Sequence, residues 1–338
     1  MTQAYMTQTR QGGSDARSGS RTRLRFRSPH GGGPWRRGII LVLAAVLLTL
    51  TLVLHADIPN SVGNLGSLVE TFLPWLGLAV PLLLVLGLLR RSAAALVALL
   101  LPTAAWLNLF GGQLDSKSGT GGDLTVATHN VNAENPDPAG TARDVAAGGT
   151  DVVALEELTE KATPVYRKAL AGTYRYHTVQ GTVGVWSKYP LSATRPVDIR
   201  LGWTRALRTT VSTPQGPVAV IAAHLPSVRV EVKAGFTAGQ RDGSADALGR
   251  AIADEKLERV VLLGDLNGTM NDRALAGVTS QMRSAQGAAG DGFGFTWPAA
   301  FPMARIDQIM ARGVEPVRSW TLPETGSDHL PIAAAVDL

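Results

Sequence analysis

A chain of 338 residues with no cysteine has no disulfide, no thiolate metal site and no cysteine nucleophile. Its formal charge of +5 is unevenly placed: eight arginines and one aspartate fall in residues 1–37, whereas residues 123–338 carry 21 basic and 23 acidic side chains. The C-terminal part therefore lacks the cation surplus with which proteins grip long nucleic acid, and a nucleic-acid partner is disfavoured.

In chain order, residues 1–37 are rich in Gly, Ser and Arg, lack aliphatic periodicity, and read as a disordered basic tail. Three apolar runs follow, at about 38–54, 72–89 and 92–110. Each approaches the ~20 residues that cross a hydrocarbon core, and three transmembrane helices are expected in a membrane domain spanning 38–110. Pro81 and Pro102 lie inside the second and third runs, where membrane helices tolerate them. The first run is longer than a signal-peptide core and no small-x-small site closes it, so it is read as a span. Basic residues in the tail and at Arg90–Arg91, and none between His55 and Thr71, place the N-terminus in the cytoplasm by the positive-inside rule. Three crossings then leave everything after Phe110 outside the cell membrane. Residues 111–122 (GGQLDSKSGTGG) read as a flexible linker.

From Asp123 onward, short apolar or alternating runs recur between turn signals. Strands are expected at 124–129, 152–155, 174–179, 184–187, 207–212, 218–223, 260–263, 306–311, 318–322 and 332–336, with helical periodicity at 141–147, 161–171 and 245–257. This pattern predicts an α/β domain over 123–338 built from two packed sheets flanked by helices. Asn130, Glu157, His224, Asp265 and Asp307 each stand at or next to the end of an apolar strand. A buried, unpaired charge costs several kcal/mol, so five such residues point to convergence on a site rather than to packing.

The motifs THNVN (128–132), DVVALEEL (151–158), GVWSKYPL (184–191), AHL (223–225), GDLN (264–267), RID (305–307) and SDH (327–329) follow one another in an order and spacing that resembles the endonuclease/exonuclease/phosphatase superfamily. The resemblance implies the DNase I-like four-layer α-β-β-α sandwich of two mixed sheets. It also implies a metal site of Glu157, Asn130 and Asp328 holding Mg2+ or Mn2+, since oxygen-only ligands suit hard cations. It implies that His329, oriented by Asp307, is a general base or transition-state contact, that Asp265 orients the attacking water, and that Asn267 and His224 donate to phosphate oxygens. The superfamily commonly has Gln where Glu156 stands, which leaves two adjacent acids as candidates for the metal. In-line water attack on a phosphate ester needs these groups: an aligned water, a base, and neutralisation of phosphoryl charge.

The layout of basic tail, three spans and outward phosphoesterase domain resembles the VanJ-type teicoplanin-resistance membrane proteins. It implies action on an undecaprenyl-linked pyrophosphate of cell-wall synthesis, with a lipid-linked phosphate as the partner at the membrane surface. An extracytoplasmic metal-dependent nuclease is the second reading and a non-catalytic lipid- or antibiotic-binding protein the third. Arg205, Arg208, Arg229 and Arg241 are candidates for a second phosphate or for ordinary surface charges. Trp203, Trp297 and Trp320 are candidates for lipid contact or for core packing.

Overall fold

The structure is a computed structural model that describes Trp35, residues 38–231 and residues 235–338. The tail assigned to 1–37 lies, Trp35 aside, outside the described residues. The strands of the C-terminal domain are β1 (Leu124–Asn130), β2 (Val152–Glu156), β3 (Tyr176–Gln180), β4 (Val183–Ser187), β5 (Leu191–Pro196), β6 (Ala206–Thr213), β7 (Gly216–Ala223), β8 (Val230–Glu231), β9 (Gly235–Phe236), β10 (Val260–Asp265), β11 (Arg283–Ser284), β12 (Asp307–Arg312), β13 (Glu315–Thr321) and β14 (Ile332–Asp337).

Alternation along these strands sends every second side chain to the opposite face. From one sheet, ordered β13-β14-β1-β2-β4-β3, Val126, Val152 and Val185 point inward. They meet Leu207, Val220, Leu263 and Ile309 from the other, ordered β11-β12-β10-β7-β6-β5. The outer face of the first sheet (Val153, Leu155, Trp186) is covered by the helices Pro138–Ala147 and Thr163–Leu170 through Val145, Tyr166 and Leu170. The outer face of the second (Ile221, Leu262, Met310) is covered by Gly239–Ala253 through Leu248 and Ile252. Two mixed sheets packed between helices are thus present, as expected. The first of these helices starts where Asp137 caps it, its carboxylate accepting from the Gly140 amide at 2.8 Å, with Pro138 in the first turn.

Two parallel pairs matter for function. β1 and β2 run together with Asn130 beside Glu156, and β7 runs parallel to β10. The antiparallel β12 sets Asp307 directly opposite Asp265. The carboxyl ends of four strands and the start of a fifth therefore share one rim. The expected strands recur within a few residues, whereas β5 was not anticipated. It is a half-exposed edge strand with a bulge between Ser192 and Arg195, so it carries neither alternation nor a continuous apolar run.

The apolar region departs from the expectation of three spans. Among the described residues, only Ala93–Gln113, at 21 residues, is one helix long and apolar enough to cross a bilayer. Leu65–Thr71 and Leu73–Leu89 are bent by 71° at Phe72 and amount to a second only if taken as one broken span. Ile39–Val53 has 15 residues, and at 1.5 Å rise it reaches about 22 Å, short of a ~30 Å core. Pro74 helps to explain the break: the chain restarts as a 3-10 turn, Leu73–Leu78, before continuing as Ala79–Leu89. Gly77 is required there, since a Cβ would lie 2.4 Å from the Trp106 indole nitrogen.

This region packs directly on the catalytic-type domain. Glu70 is fully buried and accepts from the Arg273 backbone amide at 3.2 Å and from Arg273 Nε at 3.0 Å. Trp75 Nε1 donates to the Met303 carbonyl at 2.7 Å. The segment expected to be a flexible linker is also held. The Lys117 amide and Ser118 hydroxyl donate to Asp291 at 3.1 and 3.0 Å, and the Gly119 amide to the Val317 carbonyl at 2.7 Å.

Candidate active site

At the shared rim, Asn130 is the hub. Its Nδ2 donates to Asp265 Oδ2 at 3.0 Å and to Glu157 Oε1 at 3.2 Å, so carboxylates from two sheets meet over one amide. Asn130 Oδ1 accepts from the Asn132 amide at 3.0 Å, which fixes the side chain. Ser327 Oγ donates to the Asn130 carbonyl at 2.6 Å and accepts from the His329 amide at 3.2 Å, tying the first motif to the last.

Glu157 reaches the site because it leaves β2 in the left-handed region, φ 61°. A non-glycine residue there is uncommon, and such positions cluster at functional sites. The turn separates the two adjacent acids. Glu157 is partly exposed and takes the Ala133 amide on its other oxygen at 2.9 Å. Glu156 points between the sheets, fully buried, and accepts from Thr128 Oγ1 at 2.9 Å. Burial pushes the Glu156 carboxyl well above the usual range, only partly countered by Thr128. Glu156 is therefore a buried structural group and Glu157 the acid that faces the cavity.

Gly264 of GDLN has φ 148°, and a Cβ there would meet the Ala223 carbonyl at 1.8 Å. Only glycine lets β10 approach β7 closely enough to bring Asp265 beside His224, 3.6 Å from its Nε2. Asn267, also left-handed at φ 46°, donates its Nδ2 to Asp265 Oδ2 and to the Leu225 carbonyl, each at 3.0 Å. Arg241, buried and paired with Asp272, donates to the Asn267 carbonyl at 2.7 Å and so braces this loop instead of meeting a ligand.

His329 Nδ1 lies 2.9 Å from Asp307 Oδ2, leaving Nε2 turned toward Asp265 at 3.9 Å. Burial acts to lower the His329 pKa, but the Asp307 carboxylate and its hydrogen bond, then Asp265 and Asp328, outweigh it and push it up to about 10. Burial and the facing Asp307 charge raise Asp265 to about 7. His224 goes the other way: burial, Arg205 and His329 hold it well below its ordinary value. It is a neutral imidazole at physiological pH, able to donate one hydrogen bond.

A cavity of about 460 Å³ opens on this cluster, lined by Asn130, Glu157, Asp265, Asn267, Asp328 and His329. Asp328 is exposed and accepts from Trp297 Nε1 at 3.4 Å; it shares the cavity but not the Asn130 amide. Within the described residues, Asp265, Asp307 and His329 also form a set whose donor atoms lie within 4.8 Å of one another. The hydrogen bond from His329 already occupies Asp307. Asn130 turns its Nδ2 toward Glu157 and Asp265 while its Oδ1 takes the Asn132 amide, so the oxygens open to a divalent cation on the cavity wall are those of Glu157 and Asp328, a hard, anionic set that fits magnesium or manganese.

Of the other candidates, Arg208 is paired with Glu255 at 2.8 Å, away from the cavity. Arg205 lies against the His224 ring and over Trp203, and Arg229 lines the cavity. Trp320 packs in the outer core, whereas Trp297 lines the site. Asn132 stays in its own loop, accepting from the Glu134 amide. Sequence reasoning missed Thr71 and Phe72, which come from the apolar region and wall the same cavity. Their only sequence signal is the buried-type acid Glu70 just before them, placed between two apolar runs.

The likeness extends to known structures. TDP2 of D. rerio, complexed with a single-strand DNA product, is 18% identical, with a TM-score of 0.54 over 64% of this chain and 99% of that one. A mannosyl-6-phosphatase of Bacteroides thetaiotaomicron is 18% identical, with a TM-score of 0.51 over 63% and 99%. An endonuclease/exonuclease/phosphatase of Beutenbergia cavernae is 18% identical, with a TM-score of 0.50 over 64% and 72%. At such identities these relatives share the fold. No curated protein matches the chain. Members of the family whose model fits residues 127–329 are mostly metal-dependent hydrolases of phosphoester bonds. The match takes in every motif from THNVN to SDH, and the chain belongs to the endonuclease/exonuclease/phosphatase family.

Proposed function

We propose that this protein is a membrane-anchored, outward-facing phosphoesterase that hydrolyses a phosphate or pyrophosphate bond on a lipid-linked substrate of the undecaprenyl type. The observation that carries the reading is the joint cavity: Thr71 and Phe72, from the apolar region, stand in one wall with Glu157, Asp265 and His329. A site built partly by membrane-type segments lies where a lipid headgroup is presented. The VanJ-like layout, with its role in glycopeptide resistance, is the likeness that suggests the undecaprenyl pyrophosphate. The −2 balance of residues 123–338 weighs against the nuclease alternative.

The contacts also support the topology. The positive-inside rule puts residues 55–71 and the C-terminal domain on the same outer side, and Glu70 and Arg273 join those two parts. It puts the first helix start and the Arg90–Arg91 turn together inside, and Gly38 lies against Ser92. An odd number of crossings between Thr71 and the C-terminal domain would separate the joined parts.

In the mechanism, Glu157, its carboxylate positioned by the Asn130 amide, and the nearby Asp328 would hold the divalent cation. Bound there, it supplies neutralisation of phosphoryl and leaving-group charge. Asp265 aligns the attacking water and accepts its proton. His329, kept protonated by Asp307, donates through Nε2 to the charge that builds on the phosphoryl group. Neutral His224 and Asn267 donate to the remaining oxygens, and no covalent enzyme intermediate is formed. Phosphate release should be compared across isoprenyl pyrophosphates, sphingomyelin, inositol phosphates and DNA, with and without magnesium. The expected result is magnesium-dependent release from isoprenyl pyrophosphate, reduced by a factor on the order of 10³ in Glu157→Ala. Cleavage of DNA alone would replace the lipid reading with the nuclease one.

A further inference from the structure

Beside the catalytic cavity lies a second one, of about 430 Å³, walled by Pro74, Trp75 and Leu78 on one side, Trp106 on another, and Phe293 and Phe295 from the loop before β12. Among the described residues, no charged side chain lines it. Trp75 stacks on Phe295 at 5.7 Å and Phe293 on Phe295 at 5.2 Å, so the wall is a continuous aromatic surface shared by both parts of the protein. Both indole N–H groups are satisfied elsewhere: Trp75 on the Met303 carbonyl and Trp106 on the Pro74 carbonyl at 2.9 Å. The Thr103 hydroxyl, also on the wall, donates to the Leu99 carbonyl at 2.8 Å, so the space offers a ligand no free N–H or O–H donor and little to hold water.

We infer that this cavity holds the hydrocarbon chain of a single-chain lipid phosphate while its phosphate lies at Glu157, Asp265 and His329. The inference rests on the lipid-phosphate reading and deepens it. Two continuities name the occupant. At one edge the cavity is bounded by Leu78 and Leu107, whose side chains, like that of neighbouring Leu82, are exposed and apolar, as lipid-facing residues of a span are. At the other, the chain steps from Pro74 and Trp75 in this cavity to Phe72 and Thr71 in the catalytic one. An anionic head and an apolar tail thus find an acid-and-imidazole site and an aromatic slot a few residues apart. The volume lies in the ~300–1,000 Å³ range of small-ligand pockets, which suits one narrow chain.

The test uses the full chain in nanodiscs with magnesium, comparing farnesyl diphosphate with isopentenyl diphosphate, which has the same headgroup and a third of the chain. Each buried methylene contributes about fourfold in binding, so the wild type should show a much lower KM for the farnesyl compound. Thr103→Phe fills the slot from the helix side and Phe295→Ala removes its aromatic floor. Each should raise the farnesyl KM about tenfold or more while isopentenyl hydrolysis changes by less than about twofold. Equal KM for the two substrates in the wild type, or variants that affect both substrates alike, overturns the chain-binding inference and leaves the phosphoesterase reading standing. A wild type that cleaves neither diphosphate but does cleave another phosphate ester overturns the lipid reading itself, and the inference with it.

Discussion

Asp265 and Asp307 sit side by side across two strands, and their histidine partners decide what each can do. Asp307 is bound by His329, so Asp265 is left as the acid whose charge is costly. Its pKa of about 7 and the value of about 10 at His329 define a window. Below the first, Asp265 is protonated and cannot accept a proton from water; above the second, His329 is neutral and cannot stabilise phosphoryl charge. The expected profile of kcat/KM is a bell with limbs near those values. A bound cation favours the ionised form of Asp265, so its limb should move to lower pH as magnesium is raised. A profile flat from pH 6 to 8 at limiting magnesium would contradict the role given to Asp265. The motif residues themselves were legible because rare polar groups end apolar strands. The division of labour between Glu156 and Glu157 was not, since it depends on a left-handed residue that the side-chain pattern does not encode.

Among the elements, the bent pair around Phe72 shows most clearly what pattern reading leaves out. Hydrophobicity describes Phe72–Leu89 as one uninterrupted run, yet the segment from Glu70 to Trp75 is bound to the catalytic domain by a buried ion pair and an indole hydrogen bond. Those partners lie some two hundred residues away, beyond the reach of local periodicity. Removing the guanidinium strands Glu70 in a site from which water is excluded. Arg273→Ala should cost roughly 3 kcal/mol, the lower end for a broken buried pair because Arg273 is itself part-exposed. The check is a thermal melt of the detergent-solubilised chain. Because Thr71 and Phe72 follow Glu70 directly, the same variant should raise KM for a lipid substrate more than it lowers kcat. The linker makes the same point: a stretch of Gly and Ser reads as flexible, but Asp291 collects both the Lys117 amide and the Ser118 hydroxyl.

For the whole molecule, the two-sheet architecture was readable because each strand announces itself by alternation between turn residues. The number of membrane crossings was less so, because helix length and bending depend on breaks that apolar composition conceals. The absence of cysteine gives a clean experiment on orientation. Val62→Cys, at a position 72% exposed between the first two helices, should react with an impermeant maleimide on intact cells. Arg91→Cys should react only after permeabilisation. The reverse pattern would place the catalytic domain in the cytoplasm and remove the cell-wall reading.

The hydrogen bonds that pin Lys117, Ser118 and Gly119 have a kinetic corollary. An enzyme on a slack tether would sample a deep shell of solvent and turn over soluble and surface-borne esters alike. On the proposed membrane-anchored reading, this one would meet its substrate by lateral diffusion in two dimensions. Its velocity should follow the mole fraction of substrate in the leaflet and remain indifferent to the volume in which the vesicles are suspended.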